Sequence, residues 1–283
     1  MTVSLRPPSP RISAVLSDVD GTLVTTEKVL TARAEAAVAA LYASGIAFAI
    51  ISARPPRGLT MLIEPLAIVT PVTGFNGGMV VTPALTPIEQ HLIDPVVARR
   101  AVELITAHGA QPWVFSGKDW LVLDPTAPYV DHEQHTVLFS PTIVAEFGNR
   151  LDTAAKIVGV SADFELVARC ERDVRQILAD VASVARSQRY YLDVTHKLAN
   201  KGAALLALAR QLAVPPEEIA TIGDGSNDVA MFAQSGLSIA MGNASDEVKA
   251  QAHFVTDSNE EDGFAKAVER FFISRTPLTA TSP

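Results

Sequence analysis

The chain has 283 residues, 48% hydrophobic and 19% charged, a globular composition that excludes disorder over its whole length. Twenty-three basic residues against thirty-one acidic give a net charge of −8, which argues against a general nucleic-acid binder. One cysteine, Cys170, excludes an internal disulfide or a cysteine-based zinc cluster and fits a reducing compartment. At roughly 150 residues per domain, the length predicts two domains or one large one.

In chain order, MTVSLRPPSPR is a proline-bearing lead-in without the apolar core of a signal peptide, so the expected location is cytoplasmic. Ser13 to Ser17 is a strand and Thr31 to Ser44 an alanine-rich helix that Gly45 stops. Ala47 to Ile51 is the next strand, Pro56 to Leu66 a helix, and Ile68 to Thr70 a short strand before the loop TGFNGG. The apolar stretch from Ala34 to Ala53 is broken by Glu35 and Gly45, so no membrane span or membrane partner is expected. Late in the chain, Lys201 to Leu212 is a helix, Ile219 to Ile222 a strand, Asp228 to Ala233 a helix and Leu237 to Ala240 a strand. This alternation at both ends predicts an α/β fold: a Rossmann-like parallel sheet core with helices on both faces. Ligands of such sheets bind beyond the carboxyl ends of the strands.

Three strand exits carry chemistry. After the first comes Asp18-Val19-Asp20-Gly21-Thr22-Leu23, where residues two apart point the same way and Gly21 permits a tight turn. Alone, Asp-x-Asp is equally an ordinary strand exit. After the second comes Ser52-Ala53-Arg54, whose hydroxyl and backbone N–H groups suit a phosphate oxygen, although serine before a helix is also a plain cap. After the late strand comes Gly223-Asp224-Gly225-Ser226-Asn227-Asp228, richer in carboxylates than a turn requires. Asp18, Asp20, Asp224 and Asp228 would then meet at one sheet edge and repel. A bound Mg²⁺ resolves that repulsion, being a hard cation that takes a few carboxylates plus water and substrate phosphate. Lys201, opening its helix, offers a positive charge to a carboxylate or phosphate.

In this order, DVDGTL, Ser52, NKGAAL with Lys201, and GDGSNDVAM resemble the four motifs of the haloacid dehalogenase-like superfamily. The TGFNGG loop and the GDGSNDVAMF form resemble its Cof-type, class IIB branch of sugar-phosphatase-like hydrolases. The resemblance implies a Mg²⁺-dependent phosphatase of a small phosphorylated metabolite, with Asp18 as nucleophile and Asp20 as general acid and then base. It implies that Asp18, the Asp20 backbone carbonyl and Asp224 hold the metal, with Asp228 close by. Ser52, Lys201, Asn227 and the N–H groups of Val19 and Ala53 would hold the phosphoryl oxygens. A phosphomannomutase-like phosphotransferase and a non-catalytic phosphometabolite-binding protein are the alternatives; homo-oligomerisation stays open.

Between Ser52 and Lys201 the chain is far longer than a sheet connection, which predicts an inserted domain. The expected division is residues 1–82 and 190–275 as core, 83–189 as an inserted α/β cap domain of class IIB type that closes over the site, and 276–283 as a flexible tail. Within the cap, Pro95 to His108 is a helix, and Trp113 to Phe115 and Trp120 to Leu123 are two strands. Glu171 to Ala182 is a further helix. Trp113, Trp120, Tyr129 and Phe139 are expected as cap core in preference to a leaving-group platform. His132-Glu133-Gln134-His135 is expected on a surface loop, without the spacing of a helical zinc motif. Cys170 is expected to be quiet and structural.

Overall fold

The computed structural model describes residues 7–9 and 11–274, so most of the expected lead-in and the tail at 276–283 lie outside the described residues. The first part of the chain forms β1 (Ala14–Asp18), α1 (Ala32–Ala43), β2 (Ala47–Ile51), α2 (Thr60–Ile63), β3 (Val72–Gly74), β4 (Met79–Val81) and β5 (Pro87–Gln90). The middle forms α3 (Pro95–Ala107), β6 (Gln111–Ser116), β7 (Asp119–Val122), α4 (Val130–Val137), β8 (Thr142–Ile143), β9 (Ala154–Val160), α5 (Phe164–Leu178), β10 (Ser183–Gln188) and β11 (Tyr191–Thr195). The chain returns through α6 (Lys201–Leu212), β12 (Ile219–Gly223), α7 (Val229–Phe232), β13 (Leu237–Ala240), α8 (Asp246–Lys249), β14 (Phe254–Val255) and α9 (Gly263–Val268).

Among the described residues these strands make two sheets. The first runs β14-β13-β12-β1-β2-β3-β4-β5, and the second β10-β11-β9-β6-β7-β8. In the first sheet β14 through β3 are parallel, while β4 and β5 fold back antiparallel at one edge. From β1 the chain winds outward through β2 to one side, and after the insertion it winds through β12 to the other. β1 and β12 are therefore the switch point, where open α/β sheets bind ligands.

The two sheets shift the expected domain boundaries. β5, inside the 83–189 range, belongs to the first sheet, whereas β11, beyond it, completes the second. Pairing across β9 and β11 runs to Thr195↔Lys156, so the insertion ends only where the chain leaves β11.

Local chemistry explains most element bounds. The Thr31 side chain accepts from Ala34 N at 3.1 Å and opens α1, and that of Asn200 accepts from Ala203 N at 2.9 Å and opens α6. Three expectations need correction. α5 starts at Phe164, not Glu171, because Asp163 accepts from the N–H groups of Glu165 and Leu166 at 3.0 Å and caps the helix there. Val167, Cys170, Val174 and Leu178 then form one buried stripe at helical spacing. No strand forms at Ile68 to Thr70; pairing begins at Val72, after Pro71, whose ring nitrogen cannot join a ladder. The segment from Pro56 begins as a 3₁₀ turn to Leu59, and only Thr60–Ile63 is α-helical.

A fourth correction matters for function. His132 to His135 lie in helix α4, not in a loop. Val130 and Val137 anchor this short helix. It packs on the first domain: a Cβ on Gly58 would sit 3.2 Å from Val137 Cβ, and the Arg57 guanidinium lies 4.4 Å from the Phe139 ring centre. Phe115 of the second sheet meets Phe75 of the first domain with ring centres 5.5 Å apart. Trp113 and Trp120 are buried in the apolar cluster the two domains share.

Candidate active site

The site grows from the carboxyl ends of β1, β2 and β12. The β1–β2 register pairs Asp18 with Ile51, so Ser52 follows directly beside Asp18. The Ser52 hydroxyl accepts from Arg54 N at 3.1 Å, and its carbonyl accepts from Asn76 N at 2.8 Å, tying this exit to the loop after β3. Val19 is the first residue beyond β1 and Ala53 the second beyond β2. Lys201 reaches the same point from the first turn of α6.

Lys201 is the centre of the charge arrangement. Its ammonium donates to Asp18 Oδ1, and to Asp228 Oδ1 at 2.6 Å. All three side chains are buried, Asp228 and Lys201 almost completely at 0% and 1% exposure. Burial alone would lower the Lys201 pKa, but Asp18 and Asp228 outweigh it and hold the ammonium charged. Asp228 is committed on both oxygens: Oδ2 accepts from Asp224 N at 2.9 Å and Gly225 N at 2.8 Å. It thus shapes the loop that presents Asp224. Gly223 is needed beneath it, since a Cβ there would lie 2.4 Å from the Asp228 carboxyl carbon.

Asp18, Asp224 and Asp228 each bring an oxygen within 4.8 Å of the others. Burial, with the neighbouring carboxylates and against the pull of Lys201, pushes Asp18 well above the ordinary carboxylate range. Burial and Asp228 push Asp224 up to about 6. Three carboxylates share one buried cation, so the cluster retains excess negative charge. An all-oxygen donor set under such charge fits a divalent hard cation. Gly21, at φ +78°, makes room for the Asp224 carboxylate: a Cβ there would stand 2.3 Å from Asp224 Oδ2. The Asp224 carboxylate accepts from Thr22 Oγ1 at 3.3 Å and from Asn243 Nδ2 at 3.1 Å.

Asp20 faces a different environment. Arg54 donates to it through Nε at 2.8 Å and a terminal nitrogen at 2.6 Å, and Lys28 adds a contact at 2.7 Å. Burial would raise its pKa, but Arg54 and Lys28 outweigh this and bring it down to about 2. Two carboxylates two residues apart therefore differ sharply, Asp18 and Asp20 being set by burial and by cations respectively. The Asn227 amide donates to Asn76 Oδ1 at 3.0 Å, bridging the loops after β12 and β3.

The structure thus brings Asp18, Lys201, Asp224 and Asp228 into contact, sets Ser52 alongside, and turns the Asp20 side chain toward Arg54. Sequence reading missed three participants. Asn243 follows β13, so inspecting that strand's exit would have found it. Asn76 lies in the TGFNGG loop, which entered the sequence reading only as a family signature and not as a source of site residues. Lys28 carries no signal in sequence, because its approach to Asp20 depends on the turn from Thr25 to Val29.

Buried carboxylates, one lysine and a serine at the switch point of a parallel sheet define a class of site suited to divalent cations and phosphoryl groups. The family profile for haloacid dehalogenase-like hydrolases matches residues 15–268, and the chain belongs to that family. Its architecture is the Cof-type class IIB form, with an α/β insertion between the second and third motifs. A Haemophilus influenzae protein provisionally named a phosphatase is 30% identical over 92% of this chain and 98% of its own. A haloacid dehalogenase-like hydrolase from Bacteroides thetaiotaomicron superposes with a TM-score of 0.85 at 26% identity, covering 93% of this chain and all of that one. A structure described as a subclass IIB sugar phosphatase shares the fold at a TM-score of 0.81 and 22% identity, covering 93% of this chain and all of that one. Among the described residues, no helix is long and apolar enough to cross a membrane.

Proposed function

We propose that the chain is a Mg²⁺-dependent phosphatase that hydrolyses a small phosphomonoester, a sugar phosphate or similar metabolite, through an aspartyl-phosphate on Asp18. The observation that carries this reading is the buried contact of Lys201 with Asp18 and Asp228, which keeps the Asp18 carboxylate oriented beside Asp224.

Asp18 attacks phosphorus, its carboxylate oxygen forms the new P–O bond, and the bond to the leaving oxygen breaks. Asp20 gives the leaving oxygen a proton. In the second step water attacks the same phosphorus, Asp20 takes the proton, and the bond to Asp18 breaks to release inorganic phosphate. Arg54 and Lys28 hold Asp20 ionised, the form needed for the second step. To serve as acid, Asp20 has to leave that clamp, and Arg54, freed from it, is placed to meet substrate. Ser52, Lys201, Asn227 and the N–H groups of Val19 and Ala53 would hold the phosphoryl oxygens. Asp18, Asp224 and the Asp20 backbone would hold Mg²⁺, with Asp228 supporting the loop; bound there, the ion neutralises the phosphoryl charge.

The test is phosphate release from a panel of phosphomonoesters, with Mg²⁺ and with EDTA. Turnover should need Mg²⁺ and fall by roughly 10⁴-fold or more in Asp18→Asn. A folded Asp18→Asn protein with near wild-type turnover would reject the assignment.

A further inference from the structure

The cap face, the side of the second sheet turned toward the first domain, keeps its charges to itself: Lys156 and Asp193 pair there at 2.8 Å, in the cluster that holds Trp113 and Trp120. The crossings between the domains carry a different cluster, which the reaction above does not use. The chain leaves the first domain at residues 91–94, where His91 N donates to Gly78 O at 2.8 Å and Ile93 N to Ala154 O of the second sheet at 2.9 Å. It returns at residues 196–200, between the end of β11 and the start of α6. The returning crossing also packs on the TGFNGG loop: a Cβ on Gly77 would lie 2.7 Å from Asn200 O, and one on Gly78 3.6 Å from Ala199 Cβ.

Each crossing bears a half-buried histidine. The rings of His91 and His196 stack with centres 5.5 Å apart and planes 17° from parallel. His196 Nδ1 accepts from Leu198 N at 3.1 Å. A backbone N–H only donates, so this nitrogen bears no proton, and the imidazole is neutral with its proton on Nε2. The bond closes a tight turn, in which Ala199 N donates to the His196 carbonyl and Asn200 N to that of Leu198, both at 2.9 Å. Asn200 caps α6, and the next residue is Lys201. The turn therefore ends on the lysine that meets Asp18 and Asp228.

The charged groups about this pair are few. His91 Nε2 lies 3.2 Å from Glu89 Oε1 of β5, and the other Glu89 oxygen accepts from Arg210 of α6 at 3.2 Å. Lys197, beside His196, is exposed. Burial, and the charge that His91 can carry, lower the His196 pKa, so the neutral ring is the resting form at neutral pH. A proton added in mild acid enters at Nδ1 and faces the Leu198 N–H. The acceptor is lost and two donors stand opposed. Because folding lowers this pKa, the turn's contribution is complete above the ordinary imidazole range and is lost as the pH falls below it.

Resting on the phosphatase reading, we infer that His196, stacked on His91, is a positioning residue for Lys201: its neutral ring closes the turn that presents the lysine, and its protonation in mild acid opens that turn and lowers turnover. The switch needs no contact with substrate. It lies where both domain crossings meet, so the same protonation loosens the hinge.

Asparagine supplies the discriminating variant. Its Oδ1 occupies the place of the histidine Nδ1 along the side chain, accepts from the N–H two residues on, and does not titrate. The measurement is kcat/KM for p-nitrophenyl phosphate with Mg²⁺, from about pH 7.5 to about pH 5, for wild type, His196→Asn and His196→Ala. The ratio of wild type to His196→Asn cancels the ionisation of the substrate and of the carboxylates that both proteins share. It should be near one at the upper pH and fall several-fold at the lower. His196→Ala, which has no acceptor, should be impaired several-fold throughout. A flat ratio, or His196→Asn as impaired at the upper pH as His196→Ala, would overturn the inference. If no ester yields phosphate, the hydrolase reading fails separately, and the turn is read by amide hydrogen exchange. Protection of residues 196–200, corrected for the intrinsic pH dependence of exchange, should fall several-fold toward the lower pH in wild type and hold in His196→Asn. The wild-type curve alone decides if the variant does not fold, and protection that holds across the range overturns the inference.

Discussion

The catalytic edge and the cap face are both buried polar clusters built around a lysine and carboxylates, but they are assembled in opposite ways. At the edge, short runs at strand exits supply nearly everything, and Lys201 satisfies Asp18 and Asp228 at once. On the cap face, Trp113, Trp120, Lys156 and Asp193 come from four strands, and three of their polar atoms stay unpaired. At the edge the one buried cation meets two carboxylates, and the excess negative charge that remains suits a divalent cation. The cap face instead packs its polar atoms into a largely apolar cluster that Trp113 and Trp120 share.

The comparison breaks first at Lys201. Lys201→Met would leave Asp18 and Asp228 buried without their cation, a loss of about 3–5 kcal/mol in chemical denaturation. A variant as stable as wild type would mean that the carboxylates are less buried than described. A smaller effect is expected at Gly21, whose φ of +78° and contact with Asp224 make Gly21→Ala costly on both counts. It should cost about 1–3 kcal/mol in the same assay and weaken Mg²⁺ binding, measured by calorimetry. Unchanged affinity would show that the Asp224 position is not critical. The smallest effect is at Cys170, on the far side of the cap sheet. Burial, with Asp173, pushes its thiol up to about 11. Thiolate is then scarce at neutral pH, and alkylation of the folded protein should stay negligible below about pH 9 and become rapid on unfolding. Fast labelling at pH 7 would contradict the burial of α5.

The difference in assembly also governs what the sequence made legible. Asp18, Asp20, Ser52, Lys201, Asp224 and Asp228 sit in local runs whose spacing carries meaning, because a strand followed by a turn places its next residues predictably. The central strands and α6 were legible for the same reason. Asp193 and Lys156 gave no signal, since nothing local distinguishes a lysine in AAKIV or an aspartate in YLDVT from solvated strand residues. Their pairing depends on the register between β9 and β11, a contact between segments far apart in the chain. Helix α4 was misread because its short polar run becomes helical only where Val130 and Val137 find the first domain and their mutual packing. The later start of α5 was, by contrast, available from Asp163 as a cap.

The central claim is that Asp18 takes the phosphoryl group. Its most direct test is acid-quenched peptide mass spectrometry of the Asp20→Asn protein with Mg²⁺ and p-nitrophenyl phosphate. The good leaving group needs little acid help, and loss of the base slows the second step, so the adduct accumulates. The account predicts one hydroxylamine-labile phosphoryl group on the peptide bearing Asp18, absent when Asp18→Asn is added. Phosphate release with no adduct, or an adduct on another residue, would contradict it.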